Sequence, residues 1–165
     1  MNLTAPKTNM LKKGLLPVLV LTIVLIIVIV GTPPSSKNKS EVTNLVNLYE
    51  KNYIAFLKDQ DLSKIRPYTT EKQLKKVEVY TNYYMEKRQI REINDLVNLK
   101  IDKSEISTES AVVNTLEVWN VRFEDLKTKK VTDQGEGFYK NTYNLVHRNG
   151  QWLVDSVNLI EVLKK

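Results

Sequence analysis

Tyr143-Asn144-Leu145-Val146-His147-Arg148-Asn149-Gly150-Gln151-Trp152-Leu153-Val154 is the stretch on which the fold turns. Apolar residues recur at every second position on both sides of Asn149-Gly150, and that dipeptide favours the left-handed backbone of a two-residue hairpin loop. With Asn149 and Gly150 as the loop, Arg148 faces Gln151 and His147 faces Trp152. Tyr143, Leu145, His147, Trp152, Val154 and Ser156 then share one face, and Asp155 points the other way beside Asn144. The two strands run from about Gly137 to Arg148 and from Gln151 to about Ile160.

The period of two extends upstream. Val97, Leu99 and Ile101 alternate with Asn98, Lys100 and Asp102, as in a half-buried strand. In a longer strand, Val113, Thr115, Glu117, Trp119, Val121 and Phe123 form one face, and Asn114, Leu116, Val118, Asn120 and Arg122 form the other. Lys127-Thr128-Lys129-Lys130 is the solvated turn after it. Both faces are mixed, so Glu117 has two readings. The plainer is a solvated strand residue; the other sets it beside Trp119 in the core, as a buried acid with a raised pKa and hence an active-site signal.

Before about Arg91 the period is 3.6. Ser40 is an N-cap, and Val42, Leu45, Val46, Tyr49, Tyr53, Phe56 and Leu57 make one stripe of an amphipathic helix. Asp59-Gln60-Asp61 ends it, because the residues that follow lack the glycine and the terminal glutamate of a calcium loop. Thr70 and Glu71 start a second helix with Leu74, Val77, Tyr80 and Tyr84 on its buried stripe. Two helices followed by an antiparallel sheet of about four strands predict an α+β domain over residues 40–165, cone-like, with both helices on one face of a curved sheet.

The N-terminal third sets the expected location. Gly14 to Gly31 holds no charge, and its 18 residues just span a bilayer core at about 1.5 Å of rise per residue. Lys7, Lys12 and Lys13 precede it, so residues 1–13 are expected in the cytoplasm, 14–31 in the membrane, 32–39 as an extended spacer, and the domain outside the cytoplasm. A cleaved signal peptide is the competing reading. The run is longer than a usual signal core, and Val30-Gly31-Thr32-Pro33-Pro34 lacks an Ala-x-Ala site and puts prolines where cleavage falls. Of the net charge of +6, five lie in the first 40 residues, leaving 20 basic against 19 acidic residues in the rest. That near-neutral balance argues against a nucleic-acid partner. The absence of cysteine excludes disulfides and thiolate sites. No cofactor or metal is expected.

Tyr49-x-x-x-Tyr53-x-Ala55-Phe56, Asp59-x-Asp61-Leu62-x-x-Ile65, Tyr143-x-Leu145 and Asn149-Gly150-x-Trp152-x-Val154 resemble the opening helix and closing hairpin of the nuclear-transport-factor-2-like, or cystatin-like, superfamily. The resemblance covers nearly all of residues 40–160. It implies a fold shared by small hydrolases, isomerases, ligand carriers and non-catalytic adaptors. From Val97 through Ala111-Val112-Val113 to Glu117, with Tyr143 and Trp152, the chain is also similar to the domain facing the intermembrane space in plastid-division J-domain proteins and to bacterial envelope relatives, where it implies protein contacts. Its order of basic tail, single span and this fold is similar to inner-membrane scaffold subunits of type IV secretion and conjugation machines.

The expected function is a membrane-anchored, non-catalytic module that binds an envelope protein or surface ligand, with oligomers allowed. A structural secretion subunit and a small hydrolase or isomerase are the alternatives. Tyr84, Trp119, Tyr143, His147 and Trp152 are the candidate binding residues, and a catalytic role for His147 requires a carboxylate partner in the same cavity.

Overall fold

Val42, Leu45, Val46, Tyr49, Phe56 and Leu57 are all buried, so the stripe expected of the first helix is the one that packs. The computed structural model describes residues 36–163. The apolar run 14–31, its basic tail and residues 32–35 lie outside the described residues. Among the described residues no helix is long and apolar enough to cross a membrane.

Helix α1 spans Ser36–Asp59. It begins ahead of the expected Ser40 cap, so residues 36–39 are helical rather than extended spacer. Gln60 takes a positive φ of 59° and donates its N–H back to Phe56, which ends the helix. Asp61 then accepts from the Ser63 N–H at 2.9 Å, a capping turn as expected for this acidic pair. Helix α2 spans Glu71–Asn82 and continues into a π-helical turn, Tyr83–Lys87. Its buried residues are Gln73, Leu74, Val77 and Thr81, a stripe turned by one position from the expected one, and Tyr80 is exposed.

Four antiparallel strands follow in the order β1-β2-β3-β4: β1 Ile90–Ile106, β2 Ser110–Asp125, β3 Val131–Arg148 and β4 Gln151–Leu163. Asn149 and Gly150 both have positive φ, 52° and 79°, as the predicted hairpin loop demands. Arg148 pairs with Gln151 and His147 with Trp152, the expected register. That register holds only to Leu145 and Val154. A bulge at Asp155 then sets Ser156 opposite Asn144 and Val157 opposite Tyr143, so Val157 rather than Ser156 shares the face of Tyr143. A second bulge, between Leu96 and Asn98, turns Val97 outward and leaves it 55% exposed, against the expected inward alternation.

The inward face of β2 carries Ala111, Val113, Thr115, Glu117 and Trp119, all buried. Ala111 and Val113 join Val42, Leu45, Val46, Tyr49, Tyr143, Leu145, Trp152 and Val154 in one apolar cluster. Phe56, Leu57, Ile65, Leu74 and Val77 form a second, where α1 meets α2, and Tyr53 packs against both. Each fully buried large side chain of this kind contributes about 2 kcal/mol.

Asp155, expected beside Asn144, instead accepts from Thr70 Oγ1 at 3.0 Å and Lys72 Nζ at 2.6 Å. The lysine contact leads in holding its carboxyl below the usual range. Thr70 also caps α2, its Oγ1 accepting from the Gln73 N–H at 3.4 Å. Thr70→Ala removes both contacts and is expected to cost about 1 to 2 kcal/mol in urea unfolding. A change below a few tenths of that would show that neither contact holds the helix.

Candidate functional site

Beneath the helices the inward face of the sheet turns polar. Glu117 is 2% exposed, and its carboxylate accepts from Thr115 Oγ1 at 2.5 Å, Tyr143 Oη at 2.7 Å, Trp119 Nε1 at 2.8 Å and Asn141 Nδ2 at 2.8 Å. All four partners donate, which is the arrangement an ionised carboxylate requires. The register explains the convergence. Thr115 and Trp119 flank Glu117 on one face of β2, and Asn141 stands opposite Thr115 on β3. The solvated reading of Glu117 is therefore corrected: β2 turns its odd-numbered face to the helices.

A second acid, Glu50 on α1, is 3% exposed and was not among the expected site residues. It stands four residues after Val46 and three before Tyr53, on the apolar stripe itself, which is the signal that marks it in the sequence. A short hydrogen bond joins its Oε1 to Tyr143 Oη. The hydroxyl has one proton and donates it to Glu117, so the proton in the contact with Glu50 comes from the Glu50 carboxyl. Burial, with the negative charge of Glu117 adding to it, pushes the Glu50 carboxyl up to about 8, and Glu50 is a neutral acid at pH 7. Burial likewise raises the Tyr143 hydroxyl well above its ordinary value. The result is a chain running Glu50–Tyr143–Glu117, protonated at one end and ionised at the other.

This chain forms the inner wall of a cavity of about 380 Å³ between α1, α2 and the sheet. Tyr53, Val77, Trp119, Val121, Tyr139 and Val157 supply its apolar surface, and the exposed Tyr80 and Leu159 stand at its mouth. Tyr139 lies across Gly137, where a Cβ would collide with its ring, so this glycine gives the aromatic its seat. On the β1 side, Glu92 accepts from Tyr80 Oη at 2.9 Å and Asn94 Nδ2 at 2.6 Å. Two buried atoms around the cavity have no hydrogen-bond partner, Glu50 Oε2 and Asn94 Oδ1.

Of the candidate binding residues, the structure brings Trp119 and Tyr143 together in the cavity. Tyr84 lies behind its mouth, 4.8 Å from the Tyr80 ring and stacked at 5.9 Å on Phe123, with Arg88 over its face at 5.6 Å. Trp152 belongs to the apolar cluster under α1. His147 packs against Trp152 at 5.0 Å and does not line the cavity. Among the described residues no hydrogen bond joins its ring to a carboxylate, so the pairing that a catalytic His147 requires is not formed. Glu50, Glu92, Asn94 and Asn141, which the sequence reading did not select, complete the site.

Two helices thus lie on one face of a four-stranded antiparallel sheet and close over a polar-floored cavity. The fold is similar to that of the intermembrane space region of the chloroplast protein ARC6, with a TM-score of 0.62 and 15% identity over 78% of this chain and 98% of that one. A Mycobacterium tuberculosis protein of unknown function, Rv3472, matches with a TM-score of 0.51 and 16% identity over 82% of this chain and 79% of that one. A putative calcium/calmodulin-dependent kinase II association domain from Exiguobacterium sibiricum is also similar, with a TM-score of 0.47 and 15% identity over 82% of this chain and 99% of that one. At these identities the likeness is one of fold. No protein-family model matches the chain, and no curated protein matches it.

Proposed function

We propose that the chain is a single-pass membrane protein whose domain lies outside the cytoplasm and binds a ligand in this cavity without catalysis. The observation that carries the reading is the cavity itself: an open, largely apolar pocket lined at its inner end by Glu50, whose Oε2 is buried and has no partner. A buried polar atom without a partner costs about 1 to 3 kcal/mol, a cost that a bound hydrogen-bonding group removes. The uncharged run 14–31 and the lysines before it support the location. A protease added to intact cells is expected to remove the domain, and full protection would reverse the topology.

The two tryptophans make the binding reading directly testable, since Trp119 lines the cavity and Trp152 does not. With 5-fluorotryptophan incorporated into the full-length protein in nanodiscs, a panel of small amphipathic compounds is expected to move the Trp119 resonance and leave that of Trp152 in place. If no compound of any charge moves Trp119, the cavity is a packing feature and the reading fails.

A further inference from the structure

The groups around the cavity are unbalanced in charge and in hydrogen-bonding capacity. Three glutamates line it, Glu50, Glu92 and Glu117, against one cation, Lys76. The Lys76 ammonium is held by the Val157 carbonyl at 2.6 Å and Asn158 Oδ1 at 3.4 Å, at the exposed edge of β4. The donors of the inner wall are already used, since the hydroxyl of Tyr143, the indole N–H of Trp119 and the amide of Asn141 all go to Glu117. The buried atoms left without a partner are both acceptors, while the hydroxyls of Tyr53 and Tyr139 on the outer wall can donate or accept. Glu50 Oε2 is one, and Asn94 Oδ1 is the other, its amide orientation set by the bond from Nδ2 to Glu92.

We propose that the cavity binds a small amphipathic amine, its ammonium donating to Glu50 Oε2 and its carbon chain lying against Trp119, Val121 and Tyr139. This rests on the cavity being a binding site. A carboxylate or phosphate head brings only acceptors to the two buried acceptors, and Glu92 and Glu117 disfavour its charge even with Glu50 neutral. An alcohol supplies one donor and no charge. An ammonium supplies three donors and a positive charge, which the faces of Trp119 and Tyr139 also attract.

Binding changes the state of Glu50. Glu50 faces Glu117 from β2, Tyr143 from β3, and Tyr49 and Tyr53 on its own helix, while α2 contributes Gln73 and Lys76 to the cavity and β1 contributes Glu92 and Asn94. An ammonium reaches the buried Oε2 as the Glu50 side chain turns toward the cavity, and it favours the carboxylate. At neutral pH the Glu50 proton therefore passes to the buffer as the amine binds, and the single Tyr143 proton is then shared between Glu50 and Glu117. Above the pH at which Glu50 ionises by itself, binding releases no proton.

The test uses the full-length protein in zwitterionic nanodiscs, with empty nanodiscs as the blank, and hexylamine, hexan-1-ol and hexanoate as probes read at fluorinated Trp119. Hexylamine is expected to bind at least about tenfold more tightly than hexan-1-ol at pH 7, and hexanoate more weakly than either. Its affinity should rise about tenfold between pH 7 and pH 9, with that of hexan-1-ol flat, as Glu50 ionises. Glu50→Gln should bring the amine down to the alcohol and abolish the rise. If hexan-1-ol binds as tightly as hexylamine, the amine assignment fails and the binding site stands; if none of the three probes nor any compound of the wider panel moves Trp119, both fail. A pH-independent preference for hexylamine in the unsubstituted protein also overturns the role of Glu50, whether or not the variant folds.

Discussion

Glu117→Gln should destabilise the domain by about 1 to 3 kcal/mol, although it changes one oxygen to an NH₂ group. Each oxygen of Glu117 accepts from two donors, Thr115 and Tyr143 at Oε1, Trp119 and Asn141 at Oε2. At the Oε2 position an amide nitrogen would oppose the indole N–H of Trp119 and the Asn141 amide, so the nitrogen takes the Oε1 position, where the Thr115 and Tyr143 hydroxyls must turn to accept and the Tyr143 proton loses Glu117 as its acceptor. The loss should appear as a lower urea midpoint with an unchanged slope. A variant as stable as the unsubstituted protein would mean that the four donors do not converge on one carboxylate in solution.

Glu50→Gln should behave in the opposite way, and the contrast is the sharper expectation because the two glutamates are joined through one tyrosine. A glutamine amide donates to Tyr143 Oη as the protonated acid does, so at pH 5 the variant should lie within about 1 kcal/mol of the unsubstituted protein. As pH rises the two should part. The Glu50 carboxyl is raised from the ordinary 4.5 to about 8 in the folded protein, by burial first and by Glu117 second. Between those values the folded chain keeps a proton that the unfolded chain gives up, so rising pH favours unfolding. The contribution of Glu50 is whole below about pH 4.5 and is lost as pH climbs through about 8, at about 1.4 kcal/mol per pH unit in mid-window. Urea unfolding at intervals from pH 5 to pH 8.5 should therefore show a falling stability that Glu50→Gln flattens, with the variant the more stable from about pH 6 upward. Parallel curves would place the proton elsewhere. Asp155, whose carboxyl is lowered, acts in the other direction, its contribution present above the ordinary aspartate range and lost below it, and so lies outside this window.

Much of the fold was legible in residue order. The α1 stripe, the Thr70 cap and the Asn149-Gly150 loop each depend on residues within a few positions of one another. The errors fall where an extra residue enters a strand. The bulges at Val97 and Asp155 change which residues face inward without altering composition or period over a short window, and so the expected faces of Val97 and Ser156 were reversed. The site was legible in part. Trp119 and Tyr143 were selected as aromatics on strands, whereas Glu50, Glu92 and Asn94 look like ordinary polar residues until another element covers them.

By itself the sequence determined the order of helices and strands, the loop that joins β3 to β4 and the uncharged run ahead of the domain, because these follow from local backbone preference and from the spacing of apolar residues. Only the tertiary structure decided that Glu50 and Glu117 share Tyr143 in the interior. That pairing joins α1, β2 and β3, and it rests on burial and on the count of donors around each oxygen, two quantities that exist only once distant segments have packed.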